Sequence, residues 1–142
     1  MEQKDYLLRE IEKIGLIIRA IRQRLFGGAD DTAIHAETQM AEVKEMLTQE
    51  MQFDLDHFLT LDSQATNQYF DLFEGFNVDN IEQLADCLAQ LGSDTESNTA
   101  TQCREKALQL YALCNAKSKT YSFEREAKID NLKNIRKSMV NG

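Results

Sequence analysis

Two histidines and three cysteines are the first residues to test for metal or nucleophilic chemistry. His57 stands among Asp54, Asp56 and Asp62. On a helix, Asp54 and His57 at i and i+3 share one face, where they could hold a divalent ion. The same acids are also what the dipole favours at a helix N-terminus with no metal present. The latter reading is adopted, because Asp56 and Asp62 lack the spacing of a calcium loop. His35 falls on a different predicted helix, so neither HExxH nor a Glu-x-x-His pair is formed. Asp71, Glu74 and Asp86 could serve as general acid and base only in a cleft that perturbs their ionisation. A solvated acidic face explains them more simply. Cys87, Cys103 and Cys114 are too few and too widely spaced for a disulfide framework or a CxxC zinc site. Cys103 and Cys114 lie about three helical turns apart and should share a buried face. A cysteine nucleophile needs a base, and neither histidine is predicted near one. P-loop, GxGxxG and GxSxG motifs are absent from the chain. The chain is therefore expected to be no enzyme, with no cofactor and no metal.

The elements that would position these residues are helices. Among 142 residues there is no proline, no tryptophan and only six glycines. Proline breaks helix interiors and is common in loops, so its absence fits helices joined by short turns. Charged residues make up 28% and hydrophobic ones 42%, as in an ordinary folded domain. At this length one domain with its own core is expected. No apolar run approaches the roughly 20 residues of a membrane span. The first residues are charged and have no secretory h-region, so a cytoplasmic chain with no membrane partner is expected.

Leu7, Ile11, Ile14, Ile18, Ile21 and Leu25 alternate at spacings of four and three, a heptad stripe on the first helix. Gly27 and Gly28 should end it. Asp30 or Asp31 should cap the second helix, with Ala36, Met40, Val43, Leu47 and Met51 as its apolar face. The short connection predicts an antiparallel hairpin over residues 1–52. The stretch Asp54 to Glu74 reads as one helix, or as two broken near Thr60 to Ser63, with Gly75 at its end. Its aromatic side chains should form the centre of the core. Asp79 with Glu82 has the spacing of a capping box for the next helix, which carries Ile81, Leu84, Ala85, Leu88 and Leu91 and ends at Gly92. Thr99 with Gln102 should cap a helix through Cys103, Ala107, Leu110, Tyr111 and Cys114. A linker, Asn115 to Thr120, and a Ser122 cap should lead to the last helix.

Charge is unevenly placed within the net −8. Residues 1–28 and 100–142 are net basic, whereas 29–99 hold sixteen acids and one base, Lys44. Either the terminal helices fold back onto the acidic middle, or the acidic face of one molecule meets a basic face of another. Net acidity argues against nucleic acid as a partner, since phosphate must be neutralised.

The string Leu84, Ala85, Leu88, Leu91, Gly92, followed by Ala107, Tyr111 and Cys114, resembles a degenerate tetratricopeptide hairpin. The gap from Gly92 to Ala107 is longer than in that repeat, and its closing proline is missing. Lys4-Asp5-Tyr6-Leu7 with Glu10-Ile11-Glu12, and Lys119 to Glu126 with Lys128-Ile129, resemble the two ends of an uncharacterised bacterial family of small all-helical proteins. That resemblance implies a helical fold in a bacterial cytosol and supplies no catalytic residues. Tetratricopeptide-like packing would imply a protein-binding surface.

The expected fold is all-α, with five to six helices in a single unit. An N-terminal αα-hairpin (1–52) should join a tetratricopeptide-like portion (54–142). The expected role is a noncatalytic protein-interaction or assembly module, a homo-oligomer self-associating through the stripe Leu7, Ile11, Ile14, Ile18, Ile21 and Leu25. The alternative is a small-molecule or enzymatic pocket between helices near Phe58, Tyr69, Phe73 and Tyr111.

Overall fold

The computed structural model of the chain describes residues 2–26, 32–92 and 97–141, with side chains described in 4–26, 38–92 and 97–135. Every regular element in these residues is a helix: α1 (Glu2–Phe26), α2 (Thr32–Met51), α3 (Leu55–Leu59), α4 (Ser63–Phe70), α5 (Val78–Leu91), α6 (Asn98–Ser118) and α7 (Phe123–Asn141). The fold is all-α, as expected. Seven helices appear among the described residues where five to six were expected, because the Asp54–Glu74 stretch is divided.

Two caps cause the division. The Asp54 carboxylate accepts from the His57 N–H at 3.1 Å and opens α3. The Asp62 carboxylate accepts from the Ala65 N–H at 2.8 Å and opens α4. Caps eight residues apart leave room for one short helix and a turn. Asp54 and Asp62 thus serve the backbone, and the break falls where the second of the two readings put it.

Other boundaries move for similar local reasons. Asn77, rather than Asp79, caps α5, its side chain accepting from the Asn80 N–H at 2.9 Å. Ser97, rather than Thr99, caps α6, accepting from Ala100 at 3.1 Å. α6 continues through Ser118, past the expected start of the linker, and stops at Lys119 in the left-handed conformation (φ 58°). Ser122 caps α7 as expected, its hydroxyl accepting from the Arg125 N–H at 3.2 Å. Gly27, Gly28, Asp30 and Asp31 lie outside the described residues.

Gly75 does not end a helix; α4 stops at Phe70 with Asp71 as its C-cap. Gly75 instead lets the following turn touch α1. A Cβ there would overlap the Glu10 carbonyl oxygen and sit 2.6 Å from its carbon and 2.8 Å from Ile14 Cδ1. Beside this contact the buried Asn80 amide donates to the carbonyls of Ile11 at 3.0 Å and Gly75 at 2.8 Å. The start of α5 is thereby tied to the middle of α1.

α5 packs most closely on α6; α1 packs on α5 and α2, and α7 on α6. Arg24, late in α1, meets Glu42 of α2 at 4.0 Å, while Met51 at the end of α2 borders a cleft with Ile14 and Ile17. The first two helices therefore run antiparallel. One apolar core draws on Ile18 and Ile21 (α1), Val43 and Leu47 (α2), Phe58 (α3), Phe70 (α4), Leu84 and Leu88 (α5), Leu110 (α6) and Leu132 (α7). Burying a large apolar side chain is worth about 1.5–3 kcal/mol. No described helix is long and apolar enough to cross a membrane.

Candidate functional site

The α1 stripe divides into two parts. Ile14, Ile18, Ile21 and Leu25 are buried inside this chain. Ile11 is half-buried, and Leu7, on the same helical line, is 44% exposed. Tyr6 and Leu8, beside Leu7 in the first turns of α1, are also exposed. Leu72, in the turn after α4, is 73% exposed. Tyr6, Leu72, Phe73, Met51 and Ile17 line a cleft of about 270 Å³, with Glu10, Glu74 and Lys13 among its polar groups.

Of the four residues proposed for an inter-helix pocket, three come together. Phe58 and Tyr69 have ring centroids 5.7 Å apart, and Tyr69 and Phe73 5.4 Å apart. They pack with Phe53 and Phe76, and the Tyr69 hydroxyl accepts from the Asp54 N–H at 2.9 Å. Tyr111 belongs to a different cluster. Its hydroxyl donates to Asp86 at 2.5 Å.

That second cluster joins α5 to α7. Arg125 donates through Nε and Nη2 to one Glu82 oxygen (3.0 and 2.8 Å) and through Nη1 to Asn115 at 2.8 Å. Lys128 donates to the other Glu82 oxygen at 2.9 Å and to Asp86 at 3.2 Å. Burial works to raise the Glu82 carboxyl, but the hydrogen bonds and charges of Lys128 and Arg125 prevail and hold it below the usual carboxylate range. Burial also opposes charge on Lys128, yet Glu82 and Asp86 raise its amine. Burial, with the Asp86 hydrogen bond and charge, pushes the Tyr111 phenol far above its usual range. Glu82 therefore bonds to α7 rather than completing the expected capping box. Asp79, Glu82, Asp86 and Lys128 face Arg19 and Arg22 across an open cleft of about 660 Å³. Acids at i and i+4 on α5 opposite bases at i and i+3 on α7 were a readable signal that sequence reasoning did not pair.

Lys106 is a further residue that sequence reasoning missed. It is buried in α6 and donates to the Leu61 carbonyl, the Thr66 hydroxyl and the Gln109 side-chain oxygen, each at 2.7 Å. Its amine lies 4.9 Å from the Phe58 ring centroid. Burial lowers it to about 8, against the partial opposition of Asp62. Its bonds staple the α3–α4 turn to α6.

The sequence-predicted chemical residues are dispersed. His57 is exposed, as are Asp71 and Glu74. Cys87, Cys103 and Cys114 are buried and unbridged. Burial pushes their thiols up to about 12, 12 and 11, opposite to the activation a nucleophile requires. No group of three or more potential metal ligands occurs among the described residues. Met40, Met46 and Met51 pack half-buried against the core. The His35 side chain lies outside the described residues. Comparison with protein-family models, with curated proteins and with solved structures gives no match to this chain.

Proposed function

We propose that the chain is a noncatalytic protein-interaction and assembly module that self-associates through the first turns of α1. The observation that carries this reading is the apolar overhang of Tyr6, Leu7 and Leu8, with Leu72 beside the adjoining cleft. Clustered open apolar side chains mark contact surfaces more often than scattered ones do. The chemistry of the polar groups supports a noncatalytic role. The thiols are held protonated, and Glu82 and Asp86 are neutralised by α7.

The α5–α6 pair supports a tetratricopeptide-like reading of this half. A Cβ on Gly92 would meet the Ala100 carbonyl oxygen at 2.6 Å, so the glycine lets the two helices close on each other. Leu84, Ala85, Leu88, Ala107, Tyr111 and Cys114 are all buried. One such hairpin builds no concave peptide groove, which favours a second copy as partner. The bacterial, cytoplasmic setting implied by the family resemblance belongs to the same proposal. The alternative pocket draws less support, because three of its rings pack on one another and Tyr111 is committed to Asp86.

The test is light scattering over a concentration series, on the full chain and on a Leu7→Glu/Leu8→Glu variant. Deleting α1 would remove core, so surface substitutions are the cleaner perturbation. The full chain should exceed its 16.3 kDa monomer mass, and the variant should be a monomer with unchanged helical circular dichroism. A full chain that stays monomeric throughout the series overturns the proposal.

A further inference from the structure

A second apolar feature lies at the α6–α7 junction, and none of its residues lines the 270 Å³ cleft. Tyr121 and Phe123, at the start of α7, are 69% and 81% exposed. Their rings meet edge to face with centroids 4.8 Å apart, forming a small aromatic knob. The knob is held in place from both sides. On one side, Lys119 adopts its left-handed turn and donates its N–H to the Asn115 carbonyl at 3.1 Å. On the other, Ser122 caps α7, and Arg125 anchors that helix to Glu82. Lys117 and Lys119, close to the knob in sequence, are exposed. Glu124 turns to the polar cleft alongside Ser122 and Lys128.

We infer that the Tyr121–Phe123 knob of one chain seats in the cleft between α1 and the Leu72–Glu74 turn of a second copy, giving a head-to-tail contact. The inference rests on the self-association reading and names its two surfaces. The cleft has apolar walls in Met51, Leu72 and Phe73. Its volume of about 270 Å³ falls just short of the roughly 300–1,000 Å³ of small-molecule pockets and suits an inserted side chain. Its rim carries Glu10 and Glu74 against one lysine, Lys13, with exposed Asp71 close by in sequence. The knob brings Lys117 and Lys119. Opposite charge at the edge and apolar and aromatic side chains at the centre are the anatomy of a specific interface. Because knob and cleft are different surfaces, the contact is heterologous, and copies joined by it close into a ring or extend as a filament.

A complementation experiment tests this directly. Phe123→Glu/Lys117→Glu removes the knob; glutamate at the first position of α7 suits the helix dipole, so the helix should persist. Leu72→Lys/Glu74→Lys removes the cleft at two exposed positions. Light scattering should find the full chain assembled, each variant alone monomeric, and their equimolar mixture at about twice 16.3 kDa. The mixture succeeds because each variant keeps the surface the other lacks. Raising salt from 50 to 500 mM should weaken the assembly, as expected for rim charges. A knob variant that assembles like the full chain overturns the inference, as does a mixture that stays monomeric. If the full chain assembles, Leu7→Glu/Leu8→Glu abolishes assembly and the knob variant does not, the α1 reading stands and this one falls. A full chain that is monomeric removes both.

Discussion

Lys106 sets burial against charge, and the consequence can be measured. Its ammonium faces three neutral oxygens at 2.7 Å. Burial lowers the amine from 10.5 to about 8. An unfolded chain keeps this lysine near 10.4. Between those values the unfolded state binds more protons than the folded one, so Lys106 makes stability rise with pH. Below both values it is charged in both states and its slope vanishes. A full proton is worth about 1.36 kcal/mol per pH unit. With partial titration at the lower end, the gain from pH 8 to 9.5 is on the order of 1–2 kcal/mol. The three thiols act in the opposite sense. They stay protonated to about 12, 12 and 11 when folded but ionise near 8.5 when unfolded, so they make stability fall over the same interval. The total is therefore uninformative, and the assay must be a difference. Urea unfolding of the wild type and of Lys106→Met at pH 7, 8 and 9.5 supplies it, because the thiol contribution cancels. The offset at pH 7 mixes lost hydrogen bonds with relieved desolvation; only the slope isolates the amine. The wild type should gain on the order of 1–2 kcal/mol on the variant between pH 8 and 9.5. Stability curves that stay parallel over that interval refute a desolvated Lys106.

Gly75→Ala would push a methyl into the Glu10 carbonyl and should cost about 3 kcal/mol, lowering the thermal midpoint by about 10 °C in calorimetry. Glu82→Gln removes the charge that both Arg125 and Lys128 address and should cost about 2 kcal/mol at pH 7 by urea unfolding. Because the folded Glu82 carboxyl is held below its unfolded value, its stabilisation is present above about pH 4.3 and lost as pH falls through the folded value. The variant should therefore have a shallower acid limb than the wild type. The thiols should resist a chromogenic disulfide reagent at pH 8 and react fully in urea. Rapid reaction of the native chain would contradict their burial.

Periodicity revealed what depends on one helix at a time. The stripe from Ile14 to Leu25, the Val43 and Leu47 face of α2, and the leucines of α5 all follow from spacing and occupy the core. Caps were harder to assign, because Asn77 and Ser97 compete with equally suitable neighbours and only the entry angle of the chain decides between them. Leu7 could not be separated from Ile14 on the sequence, since a stripe does not record where the covering body stops. Arg125 and Lys106 are the least legible positions. Each is a charged residue, and burial becomes possible only because Glu82 and Asn115 on other elements, or Leu61 and Thr66 across a turn, come within hydrogen-bond reach.

The uneven charge of the chain also has a structural outcome. Part of it is settled inside the molecule: Arg24 meets Glu42, Lys44 meets Asp56, and Arg125 and Lys128 meet Glu82 and Asp86. The last of these contacts is the most enclosed, and it lies in the first turns of α7, immediately after the aromatic knob. The described residues of α7 bury Leu132 and half-bury Ile129 and Ile135, and the ion pairs add a polar tie to α5. Lys117 and Lys119, close in sequence to the knob, remain exposed, as Glu74 and Asp71 do near the cleft. The ion pairs that place α7 and the exposed charges that would attract a second copy are therefore different residues, so substitutions can weaken one without removing the other.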